Sequence, residues 1–371
     1  MPNSISVIRP EDYLLLYLAV GGEPMKECQN FRYTCLDIAP LKLMSLDFRY
    51  LVKQAVKNNF VPQLYNFLTE NLDKDNLKQN SVIDHLHQLF NNRIETNKLL
   101  LSEFTRIFRR MKRKGIDIMP IKGIALMTTP YFGIDQRETR DIDLLTPTRI
   151  MYERAKAEML KESYLPKEKL MWMGEGYAWA PHLLKKLDDK KWVSVDIHET
   201  SVVRHQWAGR PSMNLPEVWS RRREYNFSGM KVYVPSPEDC VRISCAHIFY
   251  DAEFDLRTLF DIVGVLRLYR KTFNWRYLIR AFIRGRSETN LYFPLCIVYR
   301  TLLEVGVTDL VSDLKKALDK LEFHLNQRGR ERVEYWKTVA HYSSLSFPKD
   351  VFSHTYKNHL AVFSYWGYLE P

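Results

Sequence analysis

Cysteine is scarce: Cys28, Cys35, Cys240, Cys245 and Cys296 are the only five in 371 residues. The count is odd and no two stand as a CxxC pair, which argues against a disulfide-framed fold. Their spacings do not suit a tetrahedral zinc site either. Long apolar runs are also missing. The longest early one, Leu14 to Val20, is too short to span a bilayer, so no membrane span is expected. No basic segment leads into a long apolar stretch near the start, so no signal peptide is expected. Together these absences point to the cytoplasm. Low-complexity tracts and internal repeats are absent, and 17 prolines and 14 glycines are spread along the chain.

What is present is an ordinary globular composition, with 46% hydrophobic residues. The length suggests two or three domains rather than one core. The net charge is +11, from 55 basic and 44 acidic residues. Such a surface favours polyanions, with nucleic acid among them, but scattered lysines on a soluble protein give the same number.

The apolar spacing divides the chain into three regions. Residues 1–80 read as helical, residues 81–235 as an α/β core and residues 236–371 as helical again. A long helix is predicted from Ser81 to Lys114, with cations crowding its end and Gly115 just beyond. Strands are predicted at Ile116–Ile121, Asp141–Leu145, Trp192–His198 and Lys231–Val234. Helices are predicted at Ile124–Thr129 and Thr148–Ser163, with another starting after Ser236 as N-cap. The fold class is α+β: a small mixed sheet with flanking helical regions. The tail from Phe347 is rich in aromatics that would dock on the body.

Arg137-Glu138-Thr139-Arg140-Asp141-Ile142-Asp143-Leu144-Leu145 carries the chemistry. On a strand, Asp141 and Asp143 share one face while Ile142 and Leu144 share the other. At about 5 Å and an effective dielectric near 20, the two charges repel by roughly 3 kcal/mol. A bound cation, or a proton on one carboxyl, relieves that. Hard divalent ions choose carboxylate oxygens, so Mg²⁺ or Mn²⁺ is the expected cofactor. Upstream stands Lys122-Gly123, where a glycine at a strand-to-helix turn lets backbone N–H groups approach phosphates. Downstream stands Asp196 in Val195-Asp196-Ile197-His198, completing a metal set of Asp141, Asp143 and Asp196. His198 shares the face of Asp196 and would orient a carboxylate or serve structurally. Arg137 and Arg140 either balance the aspartates or bind phosphate bidentately. Arg257 and Asp261 read as an i,i+4 pair. The runs Arg109 to Lys114 and Arg221-Arg222-Arg223 read as solvated charge or as nucleic-acid contacts. Gly174-Glu175-Gly176 lacks the setting of a dinucleotide site.

This arrangement resembles the nucleotidyltransferase superfamily that includes DNA polymerase β and kanamycin nucleotidyltransferase. More closely, it looks like an uncharacterised bacterial nucleotidyltransferase family of the "LKG…R…DiDlLv…vDlH" type. The residues carrying the likeness are Pro120-Ile121-Lys122-Gly123, Tyr131, Arg137, Asp141 to Leu145 and Val195 to His198. Pro237-x-Asp239, His247 and Asp261 fit its helical part, and the likeness covers most of residues 85–275. It implies a nucleotidyltransferase core whose three aspartates bind metal and catalyse, with Lys122, Gly123, Arg137 and Arg140 at the phosphates. The implied reaction moves NMP from an NTP to an acceptor, which is a protein side chain, an RNA end, a sugar or a small molecule. Most of the superfamily has Gly-Ser or Gly-Gly where this chain has Lys122-Gly123, so a serine contact to the γ-phosphate is missing. Two other readings stay open. One is a DxD-type glycosyltransferase using a sugar nucleotide; the other is an inactive nucleotide- or nucleic-acid-binding protein.

Overall fold

A computed structural model describes residues 9–21, 45–72, 81–166, 182–187, 191–198, 215–251, 255–284 and 288–325. The first part is helical: α1 (Pro10–Gly21), α2 (Phe48–Lys57), α3 (Val61–Asn71) and α4 (Ser81–Arg113). The central part holds β1 (Met119–Pro120), α5 (Lys122–Met127), β2 (Ile142–Leu145), α6 (Arg149–Lys161), β3 (Leu165–Pro166), β4 (His182–Lys186) and β5 (Trp192–His198). It continues with α7 (Leu215–Ser220) and a hairpin of β6 (Arg223–Phe227) and β7 (Met230–Val234). The last part is helical again: α8 (Pro237–Asp251), α9 (Leu256–Leu268), α10 (Trp275–Arg284), α11 (Glu288–Glu304) and α12 (Val311–His324).

Local chemistry sets the boundaries. Asp47 caps α2 by accepting from Tyr50 N–H at 3.0 Å, and Thr148 caps α6 through Met151 N–H at 3.2 Å. At the end of α4, Gly115 takes φ +59°. Gly115 N–H then donates to Lys112 C=O at 3.1 Å and Ile116 N–H to Met111 C=O at 3.0 Å. That is a Schellman stop, and it uses Ile116 as its apolar plug. The strand predicted from Ile116 is therefore shorter, Met119–Pro120 only.

The sheet runs in the order β1-β2-β5-β4-β3. β2 and β5 are parallel, joined by a crossover that contains α6, and the other neighbours are antiparallel. The register sets Ile142 beside Val195, Asp143 beside Asp196 and Leu144 beside Ile197. Ile142, Leu144, Val195 and Ile197 are buried in a core with Leu100, Phe104, Ile107 and Met159. Because side chains alternate along a strand, the aspartates lie on the opposite face. A second core joins both ends of the chain, packing Leu14, Leu51 and Leu64 with Leu259, Phe282, Leu295 and Leu318. Helices from before residue 80 and after residue 236 share this interior. No described helix is long and apolar enough to cross a membrane. The aromatic tail, Gly174 to Gly176 and the side chain of His247 lie outside the described residues.

Asn97, fully buried in α4, positions the loop that feeds β2. Its Nδ2 donates to Ile134 C=O at 2.8 Å and Arg137 C=O at 2.7 Å, and its Oδ1 accepts from Thr139 N–H at 3.1 Å. Alanine here leaves these buried groups without partners, so Asn97→Ala is expected to cost about 3 kcal/mol in urea unfolding. A loss below about 0.5 kcal/mol would show that the loop holds without it.

Candidate active site

The β1–β2 ladder continues one residue past β1, where Ile121 N–H donates to Asp143 C=O at 3.0 Å. This bond sets Lys122 beside Asp143. Lys122 has φ +51°, an uncommon conformation for a residue with a Cβ and one that costs roughly 1 kcal/mol. Its Nζ reaches Asp143 Oδ1 at 2.9 Å, and His198 Nε2 reaches the same oxygen at 2.9 Å. His198 arrives there because β5 lies parallel to β2 and ends in register with Leu145.

Asp143 and His198 are both buried. Burial alone would raise the Asp143 carboxyl. The Lys122 charge and the His198 hydrogen bond outweigh it and hold that carboxyl well below the usual carboxylate range. An ionised carboxylate only accepts, so the His198 nitrogen facing it carries the hydrogen. Asp141, partly exposed just before β2, behaves oppositely. Burial, then the Asp143 charge, raises its pKa, with Asp196 adding to the rise; Lys122 and Arg257 act against it. Asp196 is buried beside Asp143 on the neighbouring strand. The three carboxylates thus lie in one electrostatic neighbourhood.

Among the described residues no group of three or more His, Cys, Asp or Glu side chains is drawn close enough to hold a metal ion. The ammonium of Lys122 sits on Asp143 Oδ1 at 2.9 Å. The donor set itself, three aspartates, is all oxygen and suits a hard divalent cation.

Arg137, expected at the triphosphate, has a side chain only 4% exposed that pairs bidentately with Asp261 of α9, both contacts at 2.8 Å. Its Nη1 donates to Glu138 C=O at 3.0 Å and to Thr139 Oγ1 at 2.7 Å. Gly123 is part of the same packing. A Cβ there would stand 1.8 Å from Thr139 Oγ1 and 2.5 Å from Arg137 Nη1. Close approach of α5 to residues 137–139 accounts for this glycine whether or not phosphate comes near.

Arg140 is exposed, with 58% of its side chain in solvent. It donates to Asn59 Oδ1, and Asn59 Nδ2 donates to Asp255 Oδ2 at 2.7 Å. Arg257 lies 3.3 Å from that same Asp255 oxygen. The expected Arg257–Asp261 pair is therefore replaced by Arg257–Asp255 and Arg137–Asp261. Asp255 also caps α9 by accepting from Thr258 N–H at 2.8 Å. Sequence reading gave Arg257 only a helical ion pair, yet it is a mostly buried cation whose charge is felt at Asp141. The one local signal was the N-cap spacing Asp255-x-x-Thr258. Asn59, in the turn between α2 and α3, offered none.

A small mixed sheet set among helices, with aspartates side by side on its central parallel strands, defines an α+β nucleotidyltransferase-type core. The chain belongs to the family described as uncharacterised nucleotidyltransferase, whose model matches residues 45–302. That span contains Lys122, the three aspartates, His198 and Arg257. No curated protein matches the chain. Among solved structures, an antigenic nucleotidyltransferase-like protein from Paracoccidioides brasiliensis is similar at 16% identity and a TM-score of 0.38. That match covers 60% of this chain and 93% of the other. The family assignment rests on the first match alone.

Proposed function

We propose that this chain moves a nucleoside monophosphate from an NTP to an acceptor, using Mg²⁺ (or Mn²⁺) held by Asp141, Asp143 and Asp196. The observation that carries the reading is the β2–β5 register, which sets Asp143 directly beside Asp196 with Asp141 two residues earlier. A divalent ion bound there would polarise the α-phosphate and ease departure of pyrophosphate. The acceptor oxygen attacks the α-phosphorus, the bond to the β-phosphate oxygen breaks, and the acceptor proton passes to Asp196. Lys122 exchanges Asp143 for the polyphosphate, so its present contact is the substrate-free resting state. His198 keeps Asp143 oriented throughout. Arg140 and Arg257, tied together through Asn59 and Asp255, supply the charge that the missing serine does not.

A second reading has an observation of its own. Lys122 on Asp143 is also what a nucleotide-binding protein without turnover would show, an ammonium having replaced the metal. A thermal-shift panel of the four NTPs with and without Mg²⁺ tests both. The expected result is a rise in Tm with an NTP that requires Mg²⁺; saturation at about 100 times Kd would stabilise by about 2.7 kcal/mol. Label from an α-³²P NTP should then move to an acceptor in cell lysate. No shift with any NTP would overturn both readings, and an Mg²⁺-independent shift without label transfer would favour the second.

A further inference from the structure

We propose that the groove between α10 and α12 binds single-stranded nucleic acid, one nucleotide seated in a cavity of about 380 Å³. The site is separate from the aspartates and does not rest on the reading of their chemistry. α10 contributes Arg276, Ile279, Arg280 and Ile283 to the cavity, one face at i, i+3, i+4 and i+7. α12 contributes Lys320, Phe323 and His324. Ile279 is buried and Ile283 partly so, which gives an apolar floor, while Arg276, Arg280 and Lys320 are exposed.

Two properties together mark this groove. First, its cations are unneutralised: among the described residues no carboxylate pairs with Arg276, Arg280 or Lys320. Asp319, the acid in the lining, is bound to Lys315. Arg276 and Arg280 sit one turn apart, a like-charge spacing that disfavours the helix. In the basic runs noticed in the sequence some cations are paired or stacked, and Arg110 pairs with Glu158 at 3.0 Å. Arg221 pairs with Glu238 at 2.6 Å, and Arg222 and Arg223 lie over the rings of Tyr233 and Tyr269. Second, Phe323 is 80% exposed, more than any other large apolar side chain among the described residues. The His324 ring meets it edge-on with centroids 5.4 Å apart.

Free guanidinium and ammonium groups around an exposed aromatic ring form a phosphate-tracking groove with a stacking platform. The volume lies within the range of small-molecule pockets, which suits one nucleotide unit. An acidic peptide would satisfy the cations but would not need the ring.

The test is fluorescence anisotropy of the full chain with a fluorescein-labelled oligouridylate 12-mer between 50 and 250 mM NaCl. Binding should weaken with salt. The triple variant R276A/R280A/K320A should lose at least tenfold in affinity at 50 mM NaCl, with a salt slope shallower by about 2. Phe323→Ala should lose about tenfold with the slope unchanged. A charge-matched triple, K53A/R113A/R149A, should lose less than threefold. These positions are all exposed, so circular dichroism melts should match the wild type. Failure of the wild type to bind, equal losses in the two triples, or an unaffected Phe323→Ala would each overturn the proposal. Displacement of the oligonucleotide by deca-glutamate at equal charge would also overturn it, reassigning the groove to acidic peptides.

Discussion

Asp143→Asn is expected to lower NTP turnover at least a thousandfold while the protein stays folded. Asp143 stands at the centre of the site: one of its oxygens takes both Lys122 and His198, and Asp196 is its register partner. Asparagine keeps the shape and removes the charge, so an ion bound as proposed would lose its central anionic ligand, and Lys122 loses its ion-pair partner. A thousandfold is about 4 kcal/mol of transition-state stabilisation, a usual size for removing a charged partner at a reacting phosphate. The stability effect has a definite sign. A carboxyl depressed in the folded state stabilises above its unfolded pKa, and that contribution fades as pH falls through the depressed value. At pH 7 the asparagine variant therefore lacks it and should melt somewhat below the wild type. Steady-state NTP turnover and a melting curve on the same preparation check the two halves. Turnover within tenfold of wild type would remove Asp143 from the chemistry, and so would an unchanged thermal response to Mg²⁺ with NTP.

How much of this could be read from the sequence depends on distance along the chain. β5 lies where alternation placed it, at Trp192–His198, and α4 differs from its predicted span by one residue at its end. Alternation made the strand that carries Asp196 legible, but its parallel register beside Asp143 was not, because the connection from β2 to β5 also holds β3 and β4. β4 was not legible: His182-Leu183-Leu184-Lys185-Lys186 has no clean alternation, and it becomes a strand by pairing along β5. The support of the site was hidden for a different reason. Asn97 reaches residues about 40 positions away, and Asn59 reaches Asp255 across 196. No local period encodes such contacts. Gly123 has a packing reason that the sequence did not show. A glycine after a strand suggested phosphate, whereas the side chain that would clash there is Thr139. The Arg257–Asp261 misreading is similar, since helical spacing permits that pair, while Asp255, the N-cap of the same helix, takes Arg257 and Arg137 takes Asp261.

Arg137→Met should destabilise the fold by about 3–5 kcal/mol, because it strands Asp261, a carboxylate only 5% exposed, without its counter-ion. Asp261→Leu should cost a similar amount by stranding the guanidinium. The double variant Arg137→Met/Asp261→Leu removes both charges and should regain most of the loss, since a buried pair replaced by apolar groups of like volume is often neutral. The cycle also decides what Arg137 does. A guanidinium that only ties α5 and the loop at 137–139 to α9 can be replaced along with its partner, and the KM for NTP in the double variant should stay within about threefold. A guanidinium touching the triphosphate cannot be replaced that way, and losing a charged hydrogen bond of 1.5–3 kcal/mol would raise KM by roughly ten- to a hundredfold. Urea unfolding and NTP kinetics on the two single variants and the double give both answers together. Recovered stability with an unchanged KM assigns Arg137 to positioning. Recovered stability with KM raised tenfold or more returns Arg137 to the phosphates, and α9 would then have to yield Asp261 when substrate arrives.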